Sequence, residues 1–465
     1  GVFNGVAGIN ENFTGTAATL AGTTVNGNAG DTDAITLSGA VNLTGAGNRV
    51  NGGGIGGTIS NIKILNLGNG SNNIEFANAT SGITTLNGGT GDDTVNFVNT
   101  GTTFIAGTVN LGNGNNILYT DHDTYTGTYT AGSGTNDQLT LQSGTNISGA
   151  TVSGFENLNL NFADVTMTVA QYNSFTTING SGTEQITFST AGTINGNTTI
   201  ENYVLANGNN FFSGTTGLVS VTGGTGNDNM SVPNSAITGA TRIDGGLGFD
   251  GLTILNGLGA ALDISTLVSN VEAIGFYVGA NPAWTFINEN GVGVSLNVIR
   301  SSNSDLNNVT LGSGGQVLNM VGTATGNTTI TGGSGKDTIN LSASVAGNEA
   351  IVTGSVISAI DTVVNFKVAG IDVFKTGTAA TTLNALNIAT ADTATFAAAI
   401  ATAATAAGAA LASNTQAYLV TVSAGTAAGI YAFQNIGGTT GTVDATDFII
   451  KIVGAGTILV GDFVA

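Results

Sequence analysis

Through residues 1–390 the chain alternates short apolar runs with clusters of Gly, Asn, Thr and Ser. The segments AITLSGAVNL (34–43) and LTLQSG (139–144) place apolar and polar residues in turn, the period of a strand with one buried face. Helical spacing is almost absent here. The connections are too short for crossover helices, which removes a βαβ architecture. Many short strands with frequent glycine leave a solenoid, a sandwich or a barrel.

Internal repeats choose among these. LNLGNGSNNIEF (65–76), TLNGGTGDDTVNF (85–97) and TVNLGNGNNILY (108–119) share a Gly, then an Asn or Asp two residues on, then an apolar residue after one more. Their Asn/Asp positions are Asn72, Asp93 and Asn116. A second set, ANGNNFF (206–212), GGTGNDNMS (223–231) and GGLGFDGLT (245–253), places Asn210, Asp228 and Asp250 in the same way. Turns recurring about every 20 residues are what stacked coils of a parallel β-solenoid require, each coil burying its apolar residues against the next. The expected fold is therefore all-β, an elongated parallel β-solenoid with Gly/Asp turns.

A second element recurs between the turns: ISNIKIL (59–65), VSGFENL (152–158), TTIENYV (198–204) and VSNVEAI (268–274). It reads as an alternating strand, and places Glu156, Glu201 and Glu272 on its solvated outer face. The pattern changes toward the C-terminus. Residues 391–412 carry Phe396, Ile400, Ala403, Ala407 and Leu411 at helical spacing, with Asp392 or Thr393 in place to cap the start. Strands resume at 417–423, 429–435 and 447–453. The expected organisation is a repeat region over 1–355 and a C-terminal β cap with one helix over 356–465.

Composition narrows the function. Only 8 residues are Lys or Arg against 28 Asp or Glu, a net charge of −20. So few basic residues cannot form a phosphate-binding stripe, so nucleic acid is not an expected partner. There is no Cys and one His, His122, which removes disulfides, thiolate sites and multi-histidine zinc sites. The Ala/Thr-rich run near 391–412 is too weakly apolar to span a membrane. No basic start followed by an apolar run marks a signal peptide. An acidic, Cys-free chain of this kind suggests an extracellular protein that binds cations.

Four segments fit G-G-x-G-x-D-x-apolar-x at every defined position: GGTGDDTVN (88–96), GGTGNDNMS (223–231), GGLGFDGLT (245–253) and GGSGKDTIN (332–340). Glycine permits positive φ and leaves backbone carbonyls open along a tight turn. The Asp adds a carboxylate, and the apolar residue anchors the next strand. Carbonyl and carboxylate oxygens are the hard ligands that Ca²⁺ takes, 6–8 at roughly 2.3–2.6 Å. The candidate ligands are Asp93, Asp228, Asp250 and Asp337. The backbones of Gly88, Gly89, Gly91, Gly223, Gly224, Gly226, Gly245, Gly246, Gly248, Gly332, Gly333 and Gly335 would complete the turns.

With these turns the chain resembles the calcium-binding nonapeptide-repeat (RTX) proteins exported by type I secretion systems. It is most similar to the bacterial S-layer members, of the Caulobacter and Campylobacter kind. The long tandem arrays of that family are missing, so Asp31, Asp33, Asp121 and Asp123 are further candidates for isolated Ca²⁺ sites. Asn72, Asn116 and Asn210 would either lend a neutral carbonyl oxygen or close a turn without metal. DTVVNFKVAGIDVF (361–374) looks like the strand pair after the family's last calcium turn. The ending Asp462-Phe463-Val464-Ala465 resembles the family's C-terminal secretion signal.

The resemblance implies a self-assembling surface-layer protein, extracellular and at the bacterial cell surface. Ca²⁺ would be its cofactor, and its partners would be further copies of itself, the type I machinery and an anchor such as lipopolysaccharide. A calcium-dependent adhesin or a matrix or sheath filament subunit is the alternative. An enzyme is not expected. H-E-x-x-H needs two histidines, no G-x-S-x-G elbow occurs, and His122 in TDHDTY (120–125) reads as a polar loop residue.

Overall fold

The computed structural model describes residues 2–20, 23–43, 59–77, 82–98, 106–121, 123–255, 262–263, 266–278, 285–287, 295–300, 308–311, 315–322, 327–341, 348–352, 359–368, 372–392, 394–406, 415–436, 442–443 and 447–465. His122, Thr393 and residues 407–412 lie outside them. The chain forms a parallel β-solenoid, as its repeats predict, and divides into two compact units, Gly1–Thr225 and Gly226–Ala465.

Through most of the first unit, from Asn12 to Asn179, the chain passes back and forth between two seven-stranded parallel sheets. One runs Asn12–Gly15, Asp33–Leu37, Ile62–Asn66, Thr85–Thr90, Thr108–Asn113, Thr128–Thr130, Thr151–Ser153. The other runs Asn42–Leu43, Asn73–Ala77, Thr94–Val98, Ile117–Tyr119, Gln138–Leu141, Asn157–Leu160, Thr177–Asn179. In the first sheet Thr85 faces Thr108, Thr108 faces Thr128, and Thr128 faces Thr151, one coil apart each time. Alternation makes the register columns uniform, apart from a register shift between Asp33 and Ala34 where the strand pairs with Ile62–Asn66. Ile35, Leu65, Leu86, Val109 and Tyr129 stack inward on one side, Ile74, Val95, Leu118, Leu139 and Leu158 on the other, all buried. Burying each such side chain contributes about 1.5–3 kcal/mol, which sets the register against a one-residue slip.

The second unit is built the same way as far as Thr362–Val364, which pairs in parallel with both Thr338–Asn340 and Phe448–Val453. Phe448–Val453, Gly429–Gln434 and Gln416–Val422 then form an antiparallel meander, to which Thr382–Ile388 adds in parallel. These three C-terminal strands agree with the expected ones to within a residue. The two strands expected within 361–374 lie in different sheets. Between them the Phe366 and Phe374 rings stack with centroids 4.0 Å apart. Phe463–Val464 pairs beside Val373–Lys375, with Phe463 buried.

The helix is Phe396–Ala406. It buries Phe396, Ile400 and Ala404 against Leu386, Tyr418, Tyr431 and Phe433. Ala403, at the expected spacing, is partly buried against the same cluster, and Ala404 completes the fully buried i, i+4, i+8 row. The Asp392 carboxylate accepts the Thr426 N–H at 2.9 Å.

Candidate metal centre

The residue that opens each strand after a turn is also the residue that ties coil to coil. The Asn72 N–H donates to Asp93 Oδ1 at 2.9 Å. The Asp93 N–H donates to Asn116 Oδ1 at 2.9 Å, and the Asn116 N–H to Asp137 Oδ1 at 2.6 Å. Val41 and Asp137 extend this ladder at its ends, donating to Asn72 Oδ1 and Glu156 Oε2. The second unit repeats it. Asp228 donates to Asp250 and Asp250 to Glu272, both at 2.7 Å; Gln316 donates to Asp337 and Asp337 to Asp361, both at 2.8 Å. Strand pairing leaves the N–H at this position without a backbone acceptor, and a buried N–H must find one.

The other end of the side chain separates Asn from Asp. The Asn72 amide donates to the carbonyls of Gly68 and Gly70 at 3.0 and 2.9 Å. Asn116 reaches Gly112 and Gly114, and Asn210 reaches Ala206 and Gly208, in the same pattern. An Asn therefore closes its own turn through the carbonyls four and two residues back. An Asp brings an oxygen where the Asn brings an NH₂. Asp93 and Asp337 take a turn N–H on that oxygen, from Gly89 at 3.4 Å and Gly333 at 3.2 Å. Among the described residues the buried Oδ2 atoms of Asp137, Asp250 and Asp361 have no hydrogen-bond partner.

Glycine is required where coils touch. Gly248 has φ +156°, and a Cβ there would run into the Gly226 carbonyl; Gly91, at φ +125°, faces Gly70 in the same way. Gly332 sits against two carboxylates from successive coils. Its Cβ position is 2.6 Å from Asp361 Oδ2 and 3.5 Å from Asp337 Oδ2. Gly88 and Gly89 lie within the strand Thr85–Thr90 rather than in the turn.

Burial raises the carboxyls of Asp93, Asp137, Asp250 and Asp337 above the ordinary range. At Asp250 the neighbouring Asp228, Glu272 and Asp244 charges add to it. Asp361 is pushed up to about 7, by burial first and then by Asp337. Glu184 is the contrast: burial works to raise it, but the N–H groups of Ser181 and Gly182 outweigh that and hold it at about 2.

Of the remaining candidates, Asp33 makes the ladder's contacts: its Oδ1 accepts the Glu11 N–H from one coil back and its Oδ2 accepts a turn N–H, that of Asn28, each at 2.8 Å. Asp31 accepts the Gly8 N–H on an exposed loop. Asp121 is bound by the Tyr125 hydroxyl at 2.5 Å. Asp123 is half-buried beside it in sequence. Among the described residues no three His, Asp or Glu side chains converge to hold a metal. A cation at these turns would therefore be held by one or two carboxylates and several backbone carbonyls.

Glu156, Glu201 and Glu272 do not stand on a solvated outer face. Each is half-buried and accepts an N–H one coil back, from Asp137, Glu184 and Asp250. Asp137 and Asp361 belong to the ladder too and fall outside the nine-residue pattern. The signal that finds all of them is shorter: an Asp, Asn or Glu, any residue, then a buried apolar one, as in Asp137-Gln138-Leu139, Asp361-Thr362-Val363 and Glu201-Asn202-Tyr203. Comparison with family models, curated proteins and solved structures finds no match for this chain.

Proposed function

We propose that the chain is a surface-layer protein, exported by a type I system and folded and cross-linked into a lattice at the cell surface by Ca²⁺. The observation that carries the reading is the set of buried, partnerless carboxylate oxygens on Asp137, Asp250 and Asp361. They stand where Asn72, Asn116 and Asn210 supply an NH₂. A cation bound there replaces the missing donor and offsets the cost of burying charge. Hard oxygen donors favour Ca²⁺. The Asn turns, already closed by their own amides, need no ion, so the proposed sites are the Asp turns alone.

A chain of net charge −20 repels both itself and its copies, and bound cations reduce that repulsion. Because the turns form only when coils stack, metal binding and folding are linked. Circular dichroism and negative-stain microscopy of the purified chain, with Ca²⁺ and with chelator, test the reading. Sheets and a gain of β signal that both need Ca²⁺ support it. Calcium-dependent folding without sheets favours the adhesin or filament subunit. No response to Ca²⁺ removes the proposal.

A further inference from the structure

The outer face of the second seven-stranded sheet of the first unit carries a cavity of about 310 Å³. Its floor is one register column: Tyr119 faces Thr140, Thr140 faces Asn159, and Asn159 faces Asn179. These residues alternate with the buried Leu118, Leu139, Leu158 and Ile178, so they point away from the core. Gln138 and Asn161 add two more amides to the lining, and no acidic or basic side chain is among the described residues that line it.

The polar groups are fixed by one another. The Asn179 amide donates to Asn159 Oδ1 at 2.8 Å, and the Gln138 amide donates to Thr140 Oγ1 at 2.9 Å. Within the described chain, this leaves the Asn159 NH₂ as a donor and the Asn179 and Gln138 carbonyl oxygens as acceptors. The Thr140 hydroxyl, accepting from Gln138, is left to donate. The Tyr119 ring stands at one end, half-buried, with no hydrogen bond and no ring partner among the described residues. The volume falls at the lower end of the range of small-molecule sites, about 300–1,000 Å³.

We infer that this cavity binds a neutral carbohydrate. A pyranose has an apolar C–H face that packs on an aromatic ring, and a rim of hydroxyls that both donate and accept. Tyr119 offers the first surface. The row of amides and the threonine, about 4.8 Å apart from strand to strand, offers the second. Held rigid by their mutual hydrogen bonds, they lose little conformational freedom when a ligand arrives. The absence of a cationic side chain among the described lining residues, on a chain of net charge −20, disfavours an anionic sugar. The inference does not rest on the surface-layer reading: it uses neither Ca²⁺ nor the Asp turns.

The test is calorimetric titration of the full chain, folded in its Ca²⁺ buffer, with maltotetraose, cellotetraose and chitotetraose, and with tetragalacturonate as the anionic comparison. At least one neutral sugar is expected to bind saturably. Tyr119→Ala and Asn159→Leu are each expected to weaken it by at least about tenfold. Thr108→Ala, on the other sheet, is expected to leave it unchanged. The circular dichroism spectrum of each variant checks that it is folded, and the two site variants act independently. The inference is overturned if no neutral sugar saturates below about 10 mM. It is also overturned if folded Tyr119→Ala and Asn159→Leu bind as the parent does, or if tetragalacturonate binds more tightly than every neutral sugar.

Discussion

The backbone N–H of Asp337 donates to Oδ1 of Asp361 at 2.8 Å, so two buried carboxylic acids from successive coils lie one on the other. Both are pushed up by burial, Asp361 to about 7. An Asp in the unfolded chain titrates near 3.9. Between those values the folded protein holds a proton that the unfolded chain has released.

That difference fixes the sign of a pH effect in chelator. Stability changes with pH in proportion to protons bound unfolded minus protons bound folded, which is negative here. The melting temperature in chelator should fall as pH rises from about 4 to about 7. Asp361→Asn, neutral at every pH, should flatten this profile. A melting curve that rises over the interval would contradict the assignment.

Substitutions at Asp250 separate its two oxygens. Asp250→Asn keeps an acceptor for the Asp228 N–H and adds an NH₂ where Oδ2 lacks a partner. In chelator it should melt higher than the parent, and it should bind fewer calcium ions. Asp250→Ala leaves the Asp228 N–H without that acceptor and should cost about 1–3 kcal/mol with or without Ca²⁺. Denaturant melts, with calcium counted by atomic absorption, distinguish the two.

The reverse exchange belongs at Asn72. Its amide also donates to Asp93 Oδ1 at 2.6 Å. Asn72→Asp would lose that contact and the two turn carbonyls, and set a second carboxylate beside Asp93. It should destabilise the chain in chelator at pH 8, and millimolar Ca²⁺ should restore part of the loss. If Ca²⁺ has no effect on this variant beyond its effect on the parent, the Asp turn is not a cation site.

The C-terminal helix should matter through its packed row. Ile400 is fully buried in the cluster with Phe396 and Tyr431. Ile400→Ala should cost about 2–5 kcal/mol, the range for removing a large aliphatic side chain from a core. The exposed Thr402→Ala should change stability by less than about 0.5 kcal/mol. Chemical denaturation of both variants gives the comparison.

Local pattern by itself determined the β class, the coil length and the helix. Two-residue alternation marks which side chains face inward, and the return of Asn or Asp about every 20 residues marks where each coil turns. Phe396 and Ile400 were legible because four-residue spacing suffices to put them on one face. The tertiary structure decided what the turn residues do. Alternation says nothing about a residue outside a strand, so Glu156, Glu201 and Glu272 read as solvated until the neighbouring coil supplied the N–H groups that they accept. The turn of Asp137 carries Gly132 and Gly134 at another spacing and Asp361 has no glycine close before it, so both showed their role only through Asn116 and Asp337, one coil back. The difference between a closed Asn turn and an Asp turn with an unmatched oxygen is likewise a matter of contact. It depends on which carbonyls the folded loop turns toward one side-chain atom, and only the stacked coils fix that direction.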